Sequence, residues 1–296
     1  MAATKGIKRS TKNASLLRLP PNIRCAVSPT GNYIACANRT RLQLFRRQDG
    51  KVVLEAPVKD AIELSFCDEE RLLALDSHGD LSMHAVGAKS VAWRQQVCDE
   101  KPTIGVVCTP NNEVRVACGA QIVVLDADVG RVLRRDPLPA NVTGLARCAG
   151  RVVVVHSQAE TKRVAISALA EGRIEPLFEL EPHHGYLGLR AVSPSGRYLY
   201  GFHGLYHTLV DLSERRAYPL HKGLRSAGAF LDDRTFLEAC PSEIAVAVAP
   251  RWERKGAIAF TAEDVAASLD GAVIAVVGSA KGFVWTREEL LAQCMV

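Results

Sequence analysis

The sequence has no long apolar run. Its longest apolar stretches, such as Val152–Val155 and Ala272–Val277, fall well short of the ~20 residues that a membrane-spanning helix needs. The first residues are basic and lack the apolar segment of a secretory signal. We therefore expect neither a membrane partner nor export.

Closely spaced cysteine pairs are also missing. The nine cysteines are widely spaced and include no C-x-x-C pair, the arrangement on which zinc knuckles and ribbons depend. Most of them lie among valine, alanine and leucine, so we expect reduced, buried side chains. Reduced thiols without an export signal predict an intracellular protein, with the cytoplasm as the first expectation and the nucleus or an organelle as alternatives.

Motifs of nucleotide chemistry and of hydrolysis are missing as well. The chain has no G-x-x-x-x-G-K-[ST] loop, no G-x-G-x-x-G turn and no G-x-S-x-G elbow. His203 and His207 are spaced like a helical zinc pair, but the glutamate of that motif is absent and the stretch is predicted to be a turn followed by a strand. We predict no catalytic residue, no cofactor and no metal site.

A repeat of about 40 residues is the most informative feature that is present. The sequence Ala-Val-Ser-Pro-x-Gly-x-Tyr occurs twice, ending at Tyr33 and Tyr198, and a third copy surrounds Gly271. Each copy predicts an apolar strand, a tight turn fixed by proline or glycine, and further short strands. Weaker copies complete a series whose turn positions are 31, 70, 112, 150, 196, 234 and 271.

Short apolar strands at this period are typical of β-propeller blades with four strands each. We predict an all-β, seven-bladed β-propeller over residues 15–286, preceded by a flexible basic arm at residues 1–14. Residues 287–296 form a tail whose composition favours a short helix. Ser15–Leu19 precedes the first blade, so we expect it to pair with the last blade as a clasp strand that closes the ring.

The copy around Gly271 resembles the WD-repeat β-propeller family. An apolar strand and a turn follow this glycine, and Gly282-Phe-Val-Trp-Thr286 then places Trp285 where that family has its tryptophan. The resemblance extends over about residues 15–286. It implies a rigid platform for protein partners, sometimes for peptides or nucleic acid, and seldom catalysis.

Positive charge is concentrated near the N-terminus. Residues 1–54 contain eleven lysines and arginines against one acid, Asp49, whereas the net charge of the whole chain is +5. We expect the arm and the first blade to form one cationic surface that attracts phosphates or acidic proteins. The candidate binding residues are Lys5, Lys8, Arg9, Lys12, Arg18, Arg24, Arg39, Arg41, Arg46 and Arg47.

These features are compatible with three functions. The first is a non-enzymatic scaffold in a larger intracellular assembly, which binds protein partners through the propeller faces and the basic edge. The second is a component that contacts RNA or DNA through residues 1–54, by phosphate contacts without base readout, because aromatic residues are few there. The third is a metal-dependent hydrolase with carboxylates converging on the central channel.

The acids considered for a hydrolase channel are Asp76, Glu113, Asp126 and Glu238. Glu238 stands out because it interrupts the apolar run Phe236–Cys240. We expect its side chain to face the channel, where trapped water would solvate it.

Overall fold

The computed structural model describes residues 17–88, 90–99, 105–138, 141–148, 151–157, 163–170, 173–180, 187–203, 206–222, 227–240 and 242–294. Over these ranges the strands form seven antiparallel sheets of four strands each. The predicted seven-bladed β-propeller is confirmed. Six blades are built from strands that are consecutive in the chain, and the seventh combines three strands from the C-terminal part with one from the N-terminal part.

The first four blades follow a single order. The clasp strand β1 (Leu17–Leu19) comes before them. Blade 1 contains β2 (Arg24–Val27), β3 (Tyr33–Ala37), β4 (Arg41–Arg46) and β5 (Val52–Pro57). Blade 2 contains β6 (Ala61–Phe66), β7 (Arg71–Asp76), β8 (Asp80–Ala85) and β9 (Val91–Gln96). Blade 3 contains β10 (Val106–Cys108), β11 (Glu113–Cys118), β12 (Gln121–Asp126) and β13 (Val132–Pro137). Blade 4 contains β14 (Asn141–Cys148), β15 (Arg151–Ser157), β16 (Val164–Ala170) and β17 (Arg173–Leu180).

The remaining blades repeat this order up to the ring closure. Blade 5 contains β18 (Leu187–Val192), β19 (Tyr198–His203), β20 (Tyr206–Asp211) and β21 (Arg216–Lys222). Blade 6 contains β22 (Ala227–Phe230), β23 (Thr235–Cys240), β24 (Glu243–Val248) and β25 (Glu253–Ala259). Blade 7 contains β26 (Asp264–Ala267), β27 (Val273–Val277), β28 (Gly282–Thr286) and the clasp β1.

The clasp strand closes the ring. It pairs antiparallel with β28, so that Leu17 lies opposite Val284 and Leu19 lies opposite Gly282. Leu19 is buried in an apolar cluster shared by blades 1 and 7. The predicted clasp is confirmed over Leu17–Leu19, while residues 15 and 16 lie outside the described ranges.

The repeated Ser-Pro-x-Gly sequence forms the same turn in blades 1 and 5. The amide of Gly31 donates to the carbonyl of Ser28, and the Ser28 hydroxyl accepts a hydrogen bond from the amide of Tyr33. Gly196 and Ser193 make the equivalent bonds in blade 5. Gly31 has a φ of 76°, which glycine adopts without the steric cost that other residues meet. In each turn a buried serine hydroxyl therefore accepts the backbone hydrogen bond that follows the glycine. Because both turns need this serine and this glycine, the same sequence occurs twice.

Apolar side chains pack between neighbouring blades rather than around one central core. Leu73 and Met83 of blade 2 share a cluster with Val106 and Val116 of blade 3. Because both faces of each sheet are covered, second and third strands such as β12 and β27 consist of nearly continuous apolar residues, whereas outer strands such as β13 are largely exposed. This packing fixes the blade positions and hence the channel between them.

The expectation that all cysteines are reduced is wrong for four of them. Disulfides link Cys67 to Cys108 and Cys98 to Cys118. The first bond joins blades 2 and 3, whose repeat brings residues 41 positions apart to a Cα–Cα distance of 5.0 Å, a separation that a disulfide spans. The inference of an intracellular location from reduced thiols loses this support. The free cysteines of the described ranges are Cys25, Cys36, Cys240 and Cys294.

Helix α1 (Arg287–Cys294) follows the last strand directly. The Glu289 amide donates to the Thr286 hydroxyl, and the Glu289 carboxylate accepts from the Thr286 amide. This reciprocal pair is a capping box, which explains why the helix begins here. Leu290 and Cys294 bury the helix against blades 6 and 7. Within the described ranges, no helix is long and apolar enough to cross a membrane.

Candidate binding channel

A cavity of about 1600 Å³ lies at the centre of the ring. Its wall comes mostly from the first strands of the blades, with β2, β6, β18, β22 and β26 contributing long stretches. Small side chains such as Ala26, Ala191, Ala229 and Ala266 cover much of this wall. The charged side chains on it are Arg24, Arg39, Glu63, Arg147, Arg190, Glu263 and Asp264.

Arg24 lies at the start of β2 and is held in place by the backbone. Its Nε donates to the carbonyl of Ile62 in blade 2 and its Nη1 donates to the carbonyl of Ile23, both at 2.8 Å. The guanidinium therefore crosses from blade 1 to blade 2. No described acid forms an ion pair with it, so its remaining donors are available to a ligand.

Arg147 and Arg190 are exposed on the walls of blades 4 and 5. Arg147 lies opposite Val152 near the end of β14. A β-bulge between Leu189 and Ala191 leaves Arg190 without an opposite residue on β19, and such bulges redirect side chains. Neither guanidinium forms an ion pair or hydrogen bond with any residue that the structure describes.

Glu63 and Asp264 bond to backbone amides. Both carboxylate oxygens of Glu63 accept hydrogen bonds from blade 3, at the amides of Gly105 and Val106. Asp264 accepts from the amide of Cys25, across the junction of blades 7 and 1, and from the amide of Val265. The oxygens are therefore used in joining neighbouring blades, which leaves the channel arginines unneutralised by direct contact.

The pKa values of Glu63 and Asp264 depend on their burial, on these backbone hydrogen bonds and on the charges of nearby arginines. Burial raises the pKa of Glu63 to about 7, although its backbone hydrogen bonds and the charges of Arg190 and Arg24 oppose that rise. Burial also raises the pKa of Asp264, opposed by the charge of Arg24, the amide bonds and the charge of Arg190. The charges of Arg24 and Arg190 thus reach both carboxylates, although the two arginines belong to blades 1 and 5. Chemically, such a wall can bind oxyanions.

The sequence predicts one cationic surface, but the arginines of blade 1 lie at two opposite ends of β4. Arg39 and Arg41 lie at the turn between β3 and β4, whereas Arg46 and Arg47 lie at the opposite end of β4. Several are ion-paired: Arg39 with Asp60 at 3.9 Å, Arg41 with Glu55 at 3.5 Å, and Arg46 with Asp49 at 2.8 Å. Exposed pairs of this kind contribute little to stability but reduce the free positive charge.

The other predicted cations have different positions. Arg18 is exposed on the clasp strand, opposite Phe283, and Arg24 lies in the channel. Lys5, Lys8, Arg9 and Lys12 lie outside the described residues. The sequence reasoning missed Arg147 and Arg190. An alignment of the blades would have shown that five of the seven first strands, β2, β6, β14, β18 and β26, contain a charged residue.

The carboxylates considered for a hydrolase do not line the described channel wall. Asp76 accepts hydrogen bonds from the amides of His78 and Asp80 in a turn. Asp126 has the same role in the turn after β12. Glu113 forms ion pairs with Arg115 and Arg134. Among the described residues, no group of three histidine, cysteine, aspartate or glutamate side chains is arranged to hold a metal ion.

The expectation that Glu238 faces the channel is wrong. Its side chain is buried between blades 5 and 6, where the Tyr200 hydroxyl donates to its carboxylate at 3.1 Å. The same hydroxyl lies 2.6 Å from Nδ1 of His207. Burial raises the pKa of Glu238 to about 7, partly offset by the Tyr200 hydrogen bond. Glu238 lies on β23, a second strand, and the channel wall comes mostly from first strands. The structure does not describe the side chain of His203, which the sequence pairs with His207.

Comparison with known proteins gives a fold and no family. No protein-family model matches the chain, and no curated protein matches it either. A structure of hydrazine synthase from Kuenenia stuttgartiensis superposes with a TM-score of 0.72 at 12% identity, covering 95% of this chain and 99% of that one. A chain in a crystal structure of the mitotic checkpoint complex superposes with a TM-score of 0.71 at 13% identity, covering 97% of this chain and 95% of that one. At such identities the similarity shows the propeller fold alone.

Proposed function

We propose that this protein is a non-enzymatic interaction module that holds protein partners within a larger assembly. The observation that carries the proposal is the open channel of about 1600 Å³, on whose wall Arg147 and Arg190 form no ion pair or hydrogen bond with any described residue. Sites for small molecules usually enclose roughly 300–1000 Å³, so this channel has room for a segment of a protein chain. A rigid, closed ring also loses little conformational freedom when a partner binds.

The faces of the ring and its basic edge extend the proposed binding surface. Arg18 and Arg47 are exposed, and we propose that the cations Lys5, Lys8, Arg9 and Lys12 also contribute to partner binding. A basic edge attracts acidic surfaces over distances of about 10 Å at ordinary salt concentrations. One structural neighbour belongs to the mitotic checkpoint complex and the other to hydrazine synthase, so the two neighbours do not decide between a scaffold and a catalyst.

Affinity purification from an extract of the source cells, with and without nuclease, tests the proposal. We expect a fixed set of proteins to be retained in both arms, because protein contacts do not depend on nucleic acid. Loss of every partner after nuclease treatment would contradict the proposal. It would favour phosphate contacts to RNA or DNA through residues 1–54, with Lys5, Lys8, Arg9 and Lys12 as the residues to mutate.

A further inference from the structure

We propose that the central channel binds an extended acidic segment of a protein partner, with Arg24, Arg147 and Arg190 as the side chains that bind its carboxylates. This inference rests on the proposed function and specifies its ligand. It concerns the channel wall and is independent of the basic arm.

Each of the three arginines has donors that no described residue occupies, and these donors can bind anions. Arg147 and Arg190 have no ion pair or hydrogen bond within the described part of the chain, and Arg24 bonds only to the carbonyls of Ile62 and Ile23. The nearby acids do not neutralise them by contact, since Glu63 and Asp264 accept hydrogen bonds from backbone amides. A guanidinium presents paired N–H groups that match the two oxygens of a carboxylate.

The positions of the arginines favour several separate anions over one compact anion. They belong to blades 1, 4 and 5, and Arg147 lies closer than Arg24 to the ends of the first strands at which the Ser28 and Ser193 turns begin. Between them the wall carries methyl-sized side chains, including Ala26 and Ala191. Such a wall lets an extended backbone approach closely while its acidic side chains reach arginines on different blades.

The mixed charge of the wall favours a peptide over a nucleic acid. Glu63, Glu263 and Asp264 line the same cavity as the arginines. A nucleic acid strand carries a charge at every residue and needs a groove that is positive along its length, so these acids would repel part of its backbone. An acidic peptide can place a neutral residue at each of those positions.

Fluorescence anisotropy with defined probes tests the inference. The probes are a fluorescein-labelled peptide of alternating Glu and Gly, the matching Gln–Gly peptide, and a labelled oligothymidylate with the same number of residues. The proteins are the full-length wild type, the double variant Arg147→Gln/Arg190→Gln, and the control Arg173→Gln, an exposed arginine on β17 away from the channel wall. Arg147 and Arg190 are exposed, so the double variant is expected to fold, and its unfolding temperature is measured alongside.

We expect the Glu–Gly peptide to bind the wild type and Arg173→Gln equally, and to bind the double variant about tenfold more weakly, the effect of losing charge-assisted hydrogen bonds. The Gln–Gly peptide should not bind. Equal binding of the Glu–Gly peptide to all three proteins, or binding of the oligothymidylate in its place, would overturn the inference. If the Glu–Gly peptide fails to bind while the wild type still retains nuclease-resistant partners from extract, the proposed peptide site in the channel is wrong and the proposed interaction module is retained. If the peptide fails to bind and no partner is retained, both proposals are wrong.

Discussion

The carboxylate of Asp264 in the last blade accepts a hydrogen bond of 2.9 Å from the backbone amide of Cys25 in the first blade. This bond crosses the junction at which the ring closes, on the channel side of blade 7, whereas the clasp strand pairs with β28 at the other edge of the same sheet. The amide of Leu269 adds a bond to the carbonyl of Pro29 across the same junction. Ring closure therefore depends on specific polar contacts as well as on strand pairing.

Replacement of Asp264 by alanine should destabilise the ring. The amide of Cys25 would lose its acceptor inside the channel wall, a loss that costs about 1–3 kcal/mol for a buried donor. Urea unfolding measures the effect, with Glu175→Ala as the control because Glu175 is exposed on β17. A free energy of unfolding that is the same for both variants would show that the Asp264 contact does not hold the junction.

Alanine substitutions at two glycines distinguish the free-energy cost of a strained backbone from the cost of a steric clash. Gly119 has a φ of 59° and open space around the site of a Cβ atom, whereas Gly271 has a φ of 68° and a Cβ added there would meet the carbonyl oxygen of Leu231. We expect Gly119→Ala to cost about 1–2 kcal/mol from the left-handed backbone alone. Gly271→Ala should cost clearly more in the same unfolding assay, since backbone of blade 6 would have to move. Equal costs would contradict the close approach of the two blades.

The ion pair between Arg197 and Asp211 should make stability depend on pH in acid. Burial tends to raise the pKa of Asp211, but hydrogen bonds from Arg197, Ser213 and the local backbone lower it to about 2. The unfolded chain then holds the proton more tightly than the folded one, so the stabilisation is present above the ordinary aspartate pKa of about 4 and is lost as pH falls toward 2.

The variant Asp211→Asn measures this contribution. We expect it to be less stable than the wild type at neutral pH by about 2 kcal/mol, and the difference should shrink as pH falls from about 4 toward 2. Glu214→Gln is the matched control, because Glu214 also pairs with Arg197 but its side chain is 53% exposed. A difference for Asp211→Asn that does not change with pH would contradict the assigned pKa.

Glu63 should have the opposite pH dependence. Its pKa is raised to about 7 in the folded protein, chiefly by burial, so the folded state holds the proton more tightly than the unfolded state. The stabilisation of the folded state by the tighter proton binding of Glu63 is complete below the ordinary glutamate pKa of about 4.3. This stabilisation is lost as pH rises from there to about 7. Glu63→Gln should therefore gain stability relative to the wild type over this interval, measured by urea unfolding at several pH values. An unchanged difference between the two proteins would show that Glu63 titrates normally.

The blades could be predicted because their signals are local. Ser28 and Gly31 specify a tight turn through bonds within six residues, and the same sequence recurs at Ser193 and Gly196. Counting such turns predicts the number of blades, and a ring of blades leaves an edge for the segment that precedes the first one. The clasp at Leu17–Leu19 follows from this reasoning without any knowledge of the three-dimensional packing.

The channel and the disulfides could not be predicted because they depend on neighbouring blades. Cys67 and Cys108 are separated by one repeat, so only the alignment of adjacent first strands brings them together. A β-bulge next to Leu189 accompanies the exposed position of Arg190, and the sequence has no clear signal for that bulge. An acid that interrupts an apolar strand predicts a channel-facing side chain at Glu238, but the structure shows that this acid makes a polar contact between blades 5 and 6.

Capture of partners by three baits tests the central claim that the ring holds a protein at its channel. The wild type, Arg147→Gln/Arg190→Gln and Arg173→Gln are immobilised, incubated with nuclease-treated extract of the source cells, and the retained proteins are quantified by mass spectrometry. We predict that the wild type and Arg173→Gln retain the same proteins and that the double variant loses at least one of them. Identical retention by all three baits, or retention of nothing by the wild type, would contradict the claim.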